Sequence, residues 1–194
     1  MDRRARYLDT ALRLFLEHGF NGVSMDQLVA ETGGSKATLY RYFNSKESLF
    51  EAIIDDIASR VSDDGTEDWS GVAVEDGLRL LVRSTAEAAL DERTIVLMRL
   101  ALGEYARFPQ LAETLFERGP GRTYARLKSF LAAKVDAGEI VVDDLQIAAE
   151  QLLGGVIGHQ QLRMALGAPR PRPTEIEARI DVAVRTFLTC HVQG

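Results

Sequence analysis

The chain has 194 residues, 46% of them hydrophobic, and a formal net charge of −6. This length is enough for one large domain or two modest ones, each with a buried core. The acidic balance argues against a general nucleic-acid coat protein, because such proteins carry broad positive fields. Any contact with DNA must therefore be local.

The sequence carries no mark of export or of membrane insertion. Cys190 is the single cysteine, so no intrachain disulfide can form, which fits a reducing compartment. The basic start leads into an amphipathic run and not into the apolar block of a signal peptide. No stretch approaches the roughly 20 apolar residues that a membrane span needs. We expect a cytoplasmic protein without membrane contact.

The first predicted helix runs from about Arg4 to His18, and Gly19 ends it. Its apolar stripe has helical spacing and consists of Leu8, Ala11, Leu12 and Phe15. We expect this helix to brace the segment that follows. The arginines at its start, Arg3, Arg4 and Arg6, are equally compatible with contact to DNA phosphates and with simple solvation.

A second helix is predicted to begin near Met25. Ser24 and Gln27 have the spacing of a capping box, in which the serine hydroxyl satisfies a free backbone amide. Gly33 then allows the positive backbone angle that ends a helix and lets the next one leave steeply. This is the pattern of a helix-turn-helix.

The third helix is predicted to start after a Ser35 cap, with Leu39 and Phe43 facing the core. Residues 33–46 contain no acidic residue, whereas the segment holds three cations, Lys36, Arg41 and Lys46. A locally basic surface in an acidic chain suits DNA phosphates.

The run from Thr38 to Glu47, Thr-Leu-Tyr-Arg-Tyr-Phe-Asn-Ser-Lys-Glu, resembles the recognition helix and following helix start of the TetR family of transcriptional regulators. Residues 7–30 resemble the family's first two helices. The resemblance implies base-edge contacts from Ser35, Lys36, Ala37 and Tyr40. It implies phosphate contacts from Thr38, Tyr42 and Lys46, and we assign Ser24 to the same DNA interface.

The turn departs from the family pattern. Small alanines and a valine are usual there, and this chain has Val29, Thr32 and Gly34. The missing valine forfeits about 1.5 to 3 kcal/mol of burial if nothing replaces it. Either Val29 refills the space or the turn is loose.

A fourth helix is predicted after a cap formed by Asn44 and Glu47, and it is expected to link the DNA-reading part mechanically to the rest. Its apolar side consists of Leu49, Phe50, Ile53, Ile54 and Ile57. Residues 61–71 are acidic and predict a loop. Trp69 in that loop is interpreted as a packing anchor, with a ligand contact as the alternative.

Helical periodicity dominates the remainder, and it predicts six helices: Val74 to Leu90, Arg93 to Arg107, Gln110 to Glu117, Thr123 to Ala137, Asp144 to Leu166 and Thr174 to His191. The predicted fold class is therefore all-α. We expect a three-helix helix-turn-helix DNA-binding domain over residues 1–48. A helical effector-binding and dimerisation domain is expected over residues 49–194.

Residues 104–112, with Gly119 and Pro120 after them, resemble the C-terminal domain of the AefR-like branch of the TetR family. Pro109 disfavours helix at Phe108 and suits the first turn of the next helix, so the motif predicts a corner between two helices. The resemblance also implies an effector pocket among the middle helices. Its candidate ligand-binding residues are Met98, Leu102, Tyr105, Phe116, Tyr124 and Phe130, although core packing is the alternative for each.

Several glycines interrupt residues 151–159, each costing a helix interior about 1 kcal/mol relative to alanine. Their presence suggests that another backbone approaches closely. In the TetR family the last two helices pair with those of a second subunit, which implies that Gly154 and Gly158 lie at a dimer interface. His159 is interpreted as an interface or core histidine, with ligand donation as the alternative.

The function expected from these features is a homodimeric, sequence-specific transcriptional regulator. We expect a repressor released from a palindromic operator by a small, mainly apolar effector. The alternative is a helical ligand-binding or interaction protein with lost or weak DNA reading. The three histidines and single cysteine show no metal-ligand or catalytic spacing, so no enzyme, metal or cofactor is expected.

Overall fold

A computed structural model describes residues 2–59 and 69–191, apart from the side chains of residues 58 and 59. Within these ranges the chain forms α-helices and no strand, so the predicted all-α class is confirmed. The helices are α1 Arg3–His18, α2 Met25–Thr32, α3 Lys36–Tyr42, α4 Lys46–Ser59, α5 Val74–Ala89, α6 Glu92–Glu104, α7 Pro109–Arg118, α8 Pro120–Asp136, α9 Leu145–Leu153, α10 His159–Ala165 and α11 Pro173–His191.

The helices predicted from periodicity all form, with ends shifted by a few residues at most. The long run expected over residues 144–166 is helical throughout but not uniform. A π-helical turn, Gly154–Gly158, separates α9 from α10. Most of the predicted acidic loop, residues 61–68, lies outside the described residues.

Contacts divide the chain into two compact units. The first unit consists of residues 1–58 and 96–119, and the second of residues 59–95 and 120–194. Helices α1 to α4 therefore share their unit with most of α6 and with α7. The functional boundary expected after residue 48 stays a prediction.

Phe20 belongs to the hydrophobic core of the first unit and is fully buried. Its ring centroid is 5.1 Å from that of Phe15, 6.1 Å from that of Phe50 and 5.3 Å from that of Phe108. Those rings come from α1, α4 and the residue that precedes α7, so one aromatic side chain packs against three parts of the unit. Such rings bury large apolar areas and gain further from tilted or edge-to-face geometry.

The cap of α4 differs from the prediction. Ser45 and Ser48 hold each other's backbone: the Ser48 N–H donates to Ser45 Oγ at 3.1 Å, and the Ser45 N–H donates to Ser48 Oγ at 3.0 Å. This is a capping box one residue later than the Asn44 and Glu47 pair that the sequence suggested. The two serine hydroxyls satisfy the backbone amides of Ser45 and Ser48 reciprocally.

In the second unit, Trp69 is buried against Phe130, with the two ring centroids 5.1 Å apart in an edge-to-face arrangement. The Arg126 guanidinium lies over the Trp69 ring, 5.7 Å from its centroid. Phe130 in turn fills the space beside Gly77 of α5, where an added Cβ would overlap the Phe130 ring. These contacts give Trp69 the packing role that the sequence favoured.

Ion pairs align α5 with α11 in the second unit. The Arg83 guanidinium makes two hydrogen bonds to the Glu177 carboxylate, at 2.8 Å and 2.6 Å. One turn away, Arg79 binds both Glu75 and Asp181. The acidic partners and Arg83 are exposed and Arg79 is half-buried, so solvent screens these pairs and they contribute more to the register of the two helices than to stability.

In residues 2–59 and 69–191, no helix combines the length and apolar character that crossing a bilayer requires. The same ranges contain no group of three or more His, Cys, Asp or Glu side chains arranged to hold a metal ion.

Candidate nucleic-acid interface

The α2–turn–α3 segment is held by local backbone and side-chain hydrogen bonds. The Gln27 N–H donates to Ser24 Oγ at 3.1 Å, and the Thr38 N–H donates to Ser35 Oγ at 3.2 Å, as the two predicted caps require. Gly33 has φ 66°, and its N–H donates to the Val29 carbonyl. The start of α3 is thus fixed relative to α2 by the turn itself.

The space beside Gly34 is filled by Tyr7 of α1. A Cβ added at Gly34 would overlap the Tyr7 hydroxyl, and Thr32 Oγ1 would be 3.7 Å away. Tyr7 is buried, and its ring centroid is 6.2 Å from that of Tyr42 and 6.4 Å from that of Phe43. Neither sequence alternative was right, because the volume is supplied by Tyr7 and not by Val29, and the turn is packed.

One face of α3 is exposed and carries the side chains that the sequence assigned to DNA. Leu39 and Phe43 are buried as predicted, whereas Tyr40 and Tyr42 are 45% and 38% exposed. The other exposed members of this face are Ser35, Lys36, Ala37 and Arg41. Thr38 is half-buried, and its hydroxyl lies 2.9 Å from Ser35 Oγ. The assigned side chains therefore lie together along α3, with Ser24 exposed at the start of α2.

Lys36, the first residue of α3, forms an ion pair with Asp26 in the first turn of α2. The Lys36 ammonium is 2.7 Å from Asp26 Oδ2. The hydrogen bond to Asp26, followed by the attraction between the two charges, raises the pKa of Lys36 above its usual value. The side chain that the family resemblance places at the base edges is thus charged and already has a carboxylate partner.

Lys46, at the start of α4, contacts the Phe20 segment. Its Nζ donates to the Phe20 carbonyl at 3.0 Å and lies 4.9 Å from the centroid of the Phe20 ring. The side chain is half-buried, and its ammonium contacts both the ring and the carbonyl of Phe20. Any phosphate contact by Lys46 would therefore share an ammonium group that also fixes the loop after α1.

Glu104, at the end of α6, holds the other side of the same residue. The Phe20 N–H donates to Glu104 Oε1 at 3.0 Å. The carboxylate fits closely against Gly19, where φ is 73° and an added Cβ would lie 2.6 Å from Glu104 Oε1. The Phe20 backbone is therefore held by an acid from α6 at its N–H and by a cation from α4 at its carbonyl.

Arg118, at the end of α7, joins α7 to α4. Its two terminal nitrogens donate to Asp55 at 2.7 Å and to Glu51 at 2.8 Å. Because Glu51 and Asp55 are four residues apart on α4, the arginine spans one helical turn. α4 is thus tied to α7 by charge in addition to its apolar face.

The predicted ligand-binding residues fall in both units. Met98, Leu102, Tyr105 and Phe116 belong to the first unit, where Leu102, Tyr105 and Phe116 are largely exposed. Tyr124 and Phe130 belong to the second unit. There Phe130 is fully buried in packing contacts, and burial, with a smaller contribution from Glu150, raises the pKa of Tyr124. Their ligand roles stay predictions.

The predicted dimer-interface glycines lie in the π-helical turn, on its exposed side. A Cβ added at Gly154 or at Gly158 would meet no atom of the described chain within 4 Å. Nothing described within the chain therefore explains why these positions lack side chains. Beside the turn runs a groove of about 850 Å³ between α9–α10 and α11, lined in part by Gln151, Gly155, Val182 and Thr186.

Tyr7, Asp26 and Glu104 were missed by sequence reasoning. Each acts through a partner that is distant in sequence: Gly34, Lys36 and Phe20 respectively. The only local signal was for Asp26, since an acid in the first turn of a helix is favoured by the helix dipole. That signal does not reveal the pairing with Lys36.

A capped helix-turn-helix with an exposed third helix that lacks acidic residues defines a DNA-binding protein. Residues 8–53 match the family of bacterial regulatory proteins called the tetR family, and residues 76–192 match the C-terminal domain of AefR-like transcriptional repressors. The chain belongs to the TetR family of bacterial transcriptional regulators. The members of this family are regulators and not enzymes, and they bind DNA operators, dimerise and bind small-molecule effectors.

Named relatives agree with this placement. The chain is 46% identical over 48 residues to the HTH-type transcriptional repressor ComR of Escherichia coli K12, a match that covers 25% of this chain and only 23% of ComR. It is 29% identical over 190 residues to an uncharacterized HTH-type transcriptional regulator of Mycobacterium tuberculosis H37Rv, covering 96% of this chain and 88% of that protein. The solved structure of the flavonoid-responsive regulator FrrA is similar with a TM-score of 0.79 and 32% identity, covering 98% of this chain and 97% of FrrA.

Proposed function

We propose that the protein is a homodimeric transcriptional repressor that binds a near-palindromic operator and leaves it when a small, mainly apolar or aromatic effector binds. The observation that carries the DNA-binding part is the exposed face of α3, held by caps and by a packed turn. Ser35, Lys36, Ala37 and Tyr40 contact base edges, and Thr38, Tyr42 and Lys46 contact phosphates. Ser24 completes the interface from the start of α2.

The operator is read by two copies of α3. One short helix in a chain of net charge −6 offers few cations to phosphates, so a second copy is needed for useful affinity. In a two-fold dimer, the two recognition helices lie about one DNA turn apart, roughly 34 Å, and half-sites repeat with the same spacing.

The second copy docks on the surface formed by the π-helical turn, α10 and α11. Two observations support this location. Gly154 and Gly158 leave their surroundings open, although glycine in a helix costs about 1 kcal/mol relative to alanine. Nearby apolar side chains are exposed, with Leu162 at 58%, Leu166 at 81% and Val182 at 53%. Burial of such a surface against its own copy is typical of homodimers.

The effector is a small apolar or aromatic molecule that binds the helical C-terminal part of the chain. The name of FrrA states that it responds to flavonoids, and FrrA is similar to this chain over nearly its whole length. A flavonoid is therefore the first effector class to test. We expect it to favour the DNA-incompetent dimer by about 1 to 3 kcal/mol.

The effector signal travels through α4 and through the two groups that hold Phe20. Glu104 of α6 accepts from the Phe20 N–H, Lys46 of α4 donates to the Phe20 carbonyl, and Arg118 of α7 binds α4 directly. A shift of α6 or α7 that breaks the Glu104 contact would change the position of a lysine assigned to phosphate. These contacts supply a physical route of the kind that coupling requires.

The test is an operator-binding titration of the full-length protein with and without a flavonoid. Unliganded protein is expected to bind one selected operator tightly, and saturating flavonoid is expected to weaken that binding by about 5- to 150-fold. Unchanged operator affinity under a flavonoid that demonstrably binds would contradict effector release. Ligand binding without any selective DNA binding would favour the alternative, a helical ligand-binding protein with lost DNA reading.

A further inference from the structure

Asp26 is an acidic side chain in direct contact with one of the predicted base-reading residues, Lys36. Its Oδ2 accepts a hydrogen bond from Lys36 Nζ at 2.7 Å, and the two side chains are 62% and 64% exposed. The residues come from different helices, α2 and α3, and both lie in the first turn of their helix. The ion pair thus joins the N-terminal turn of α2 to the N-terminal turn of α3.

The chemistry of the pair differs from that of a single lysine. A lysine ammonium has three donors and no acceptor, and here one donor is used by Asp26. An ionised carboxylate accepts several hydrogen bonds, and the bond to Lys36 uses one of those positions. The pair therefore offers two further N–H donors from Lys36 and free acceptor positions on the Asp26 carboxylate. The donor and acceptor groups are adjacent, because the ammonium and the carboxylate are hydrogen-bonded to each other.

The phosphate backbone and the base edges of DNA interact with this ion pair in opposite ways. A phosphate group offers only acceptors and carries negative charge, so a neighbouring carboxylate repels it. In the major groove, guanine offers the O6 and N7 acceptors, and its paired cytosine offers an N4 donor. A G·C pair thus matches the donors of Lys36 and the acceptor of Asp26 together, whereas a lysine alone would bind phosphates and guanine alike.

We propose that Asp26 is a specificity-determining residue of the DNA interface, which holds the Lys36 ammonium at the base edges and forms with it a two-residue reader of a G·C pair. The proposal rests on the DNA-reading function proposed above. Base recognition then depends on an acidic residue of α2 in addition to the cations of α3. Asp26 acts on specificity and at the same time lowers the affinity for DNA of any sequence.

The test compares Asp26→Asn with wild type on the operator selected by the wild-type protein, on versions of that operator with each G·C pair changed singly, and on unrelated DNA at the same salt concentration. Glu31→Gln is the matched control, because it removes one negative charge from the same helix at a residue paired with Arg13. Lys36→Ala and the double variant Asp26→Asn/Lys36→Ala complete a double-mutant cycle.

The expected result is a loss of discrimination at one G·C pair in each half-site by about fivefold or more in Asp26→Asn, with discrimination elsewhere unchanged. Binding of unrelated DNA is expected to stay equal or to rise. Glu31→Gln should discriminate as wild type does, and Asp26→Asn should have no further effect on specificity once Lys36 is alanine.

Two results would overturn the proposal. Discrimination in Asp26→Asn that equals the wild-type value, with the variant folded by circular dichroism, would show that Asp26 has no role in specificity. Independent, additive effects of Asp26→Asn and Lys36→Ala would show that the two residues do not act as a pair. If the wild type still binds DNA selectively, either result overturns the role of Asp26 and leaves the proposed function unaffected. If the wild type does not bind DNA selectively, the role of Asp26 and the proposed function are both overturned.

Discussion

The hydroxyl of Tyr7 occupies the space that a side chain at Gly34 would need. Tyr7 lies on α1 and Gly34 lies in the turn before the recognition helix, so this contact sets how closely α1 approaches the turn. Gly34 does not have a positive φ, so backbone freedom is not the reason for glycine at this position. The reason is steric.

Gly34→Ala is expected to destabilise the protein by about 1 to 3 kcal/mol, because the new methyl group overpacks a filled site. Unfolding in urea, followed by circular dichroism, measures the change. Gly103→Ala is the control: Gly103 lies in α6, an added Cβ meets nothing within 4 Å, and the change should stabilise by about 0.5 to 1 kcal/mol. Equal effects of the two substitutions would contradict the steric account.

Tyr7→Phe should rescue Gly34→Ala. After removal of the hydroxyl, the Tyr7 ring atom nearest the added Cβ is Cζ, at 3.3 Å, a distance that a small shift accommodates. Tyr7→Phe alone should be neutral or slightly stabilising, because the buried hydroxyl has no hydrogen-bond partner among the described residues. A double variant less stable than Gly34→Ala alone would show that the hydroxyl makes a favourable interaction after all.

Glu104→Ala should destabilise the first unit by about 1 to 3 kcal/mol, since it leaves the partly buried Phe20 N–H without its acceptor. Glu104→Gln keeps an acceptor oxygen and should lose less. In the operator titration, Glu104→Ala should reduce the effect of a bound flavonoid on DNA affinity. Full effector response in Glu104→Ala would remove Glu104 from the proposed signal route.

Tyr42→Phe and Lys36→Ala should change DNA binding in different ways, the first in affinity and the second in base preference. Loss of the Tyr42 hydroxyl removes a phosphate contact, so it should weaken binding to all operator variants by a similar factor. Loss of the Lys36 ammonium should change which base is preferred. Affinities for a panel of operators with single base changes separate the two outcomes, and the same pattern in both variants would contradict the assignment. Lys46 is less suitable for this comparison, because its ammonium also binds the Phe20 carbonyl.

Gly158→Ala should have opposite effects on the monomer and on the dimer. Within one chain the added methyl group meets no described atom within 4 Å, so the helix should gain about 0.5 to 1 kcal/mol. If the helices of a second copy approach at this point, the same methyl group should weaken dimerisation. Sedimentation equilibrium measures the dimer constant, and an unchanged constant would place the interface elsewhere.

The sequence predicted those parts of the fold that depend on neighbouring residues. Ser24, Gly33 and Ser35 act on amides and angles within a few residues, so their roles were predictable. The Asn44 cap was wrong because several residues near position 45 have capping side chains, and spacing alone could not choose among them. The contacts that surround the site join residues that are distant in sequence.

Tyr7 and Gly34 are 27 positions apart, and Phe20 and Glu104 are separated by 84. Their meeting depends on how whole helices pack, which periodicity does not specify. The same limit explains the Asp26–Lys36 pair, since an exposed acid on one helix and an exposed lysine on the next look solvated in sequence. Residue types at the site were therefore predictable, and their partners were not.

The most direct test of sequence-specific DNA binding is selection of bound duplexes from a random or genomic pool by the full-length protein, followed by sequencing. We expect enrichment of one near-palindromic site whose half-site centres lie about one DNA turn apart. Recovery of sequences with no shared motif, at an affinity equal to that for unrelated DNA, would contradict it.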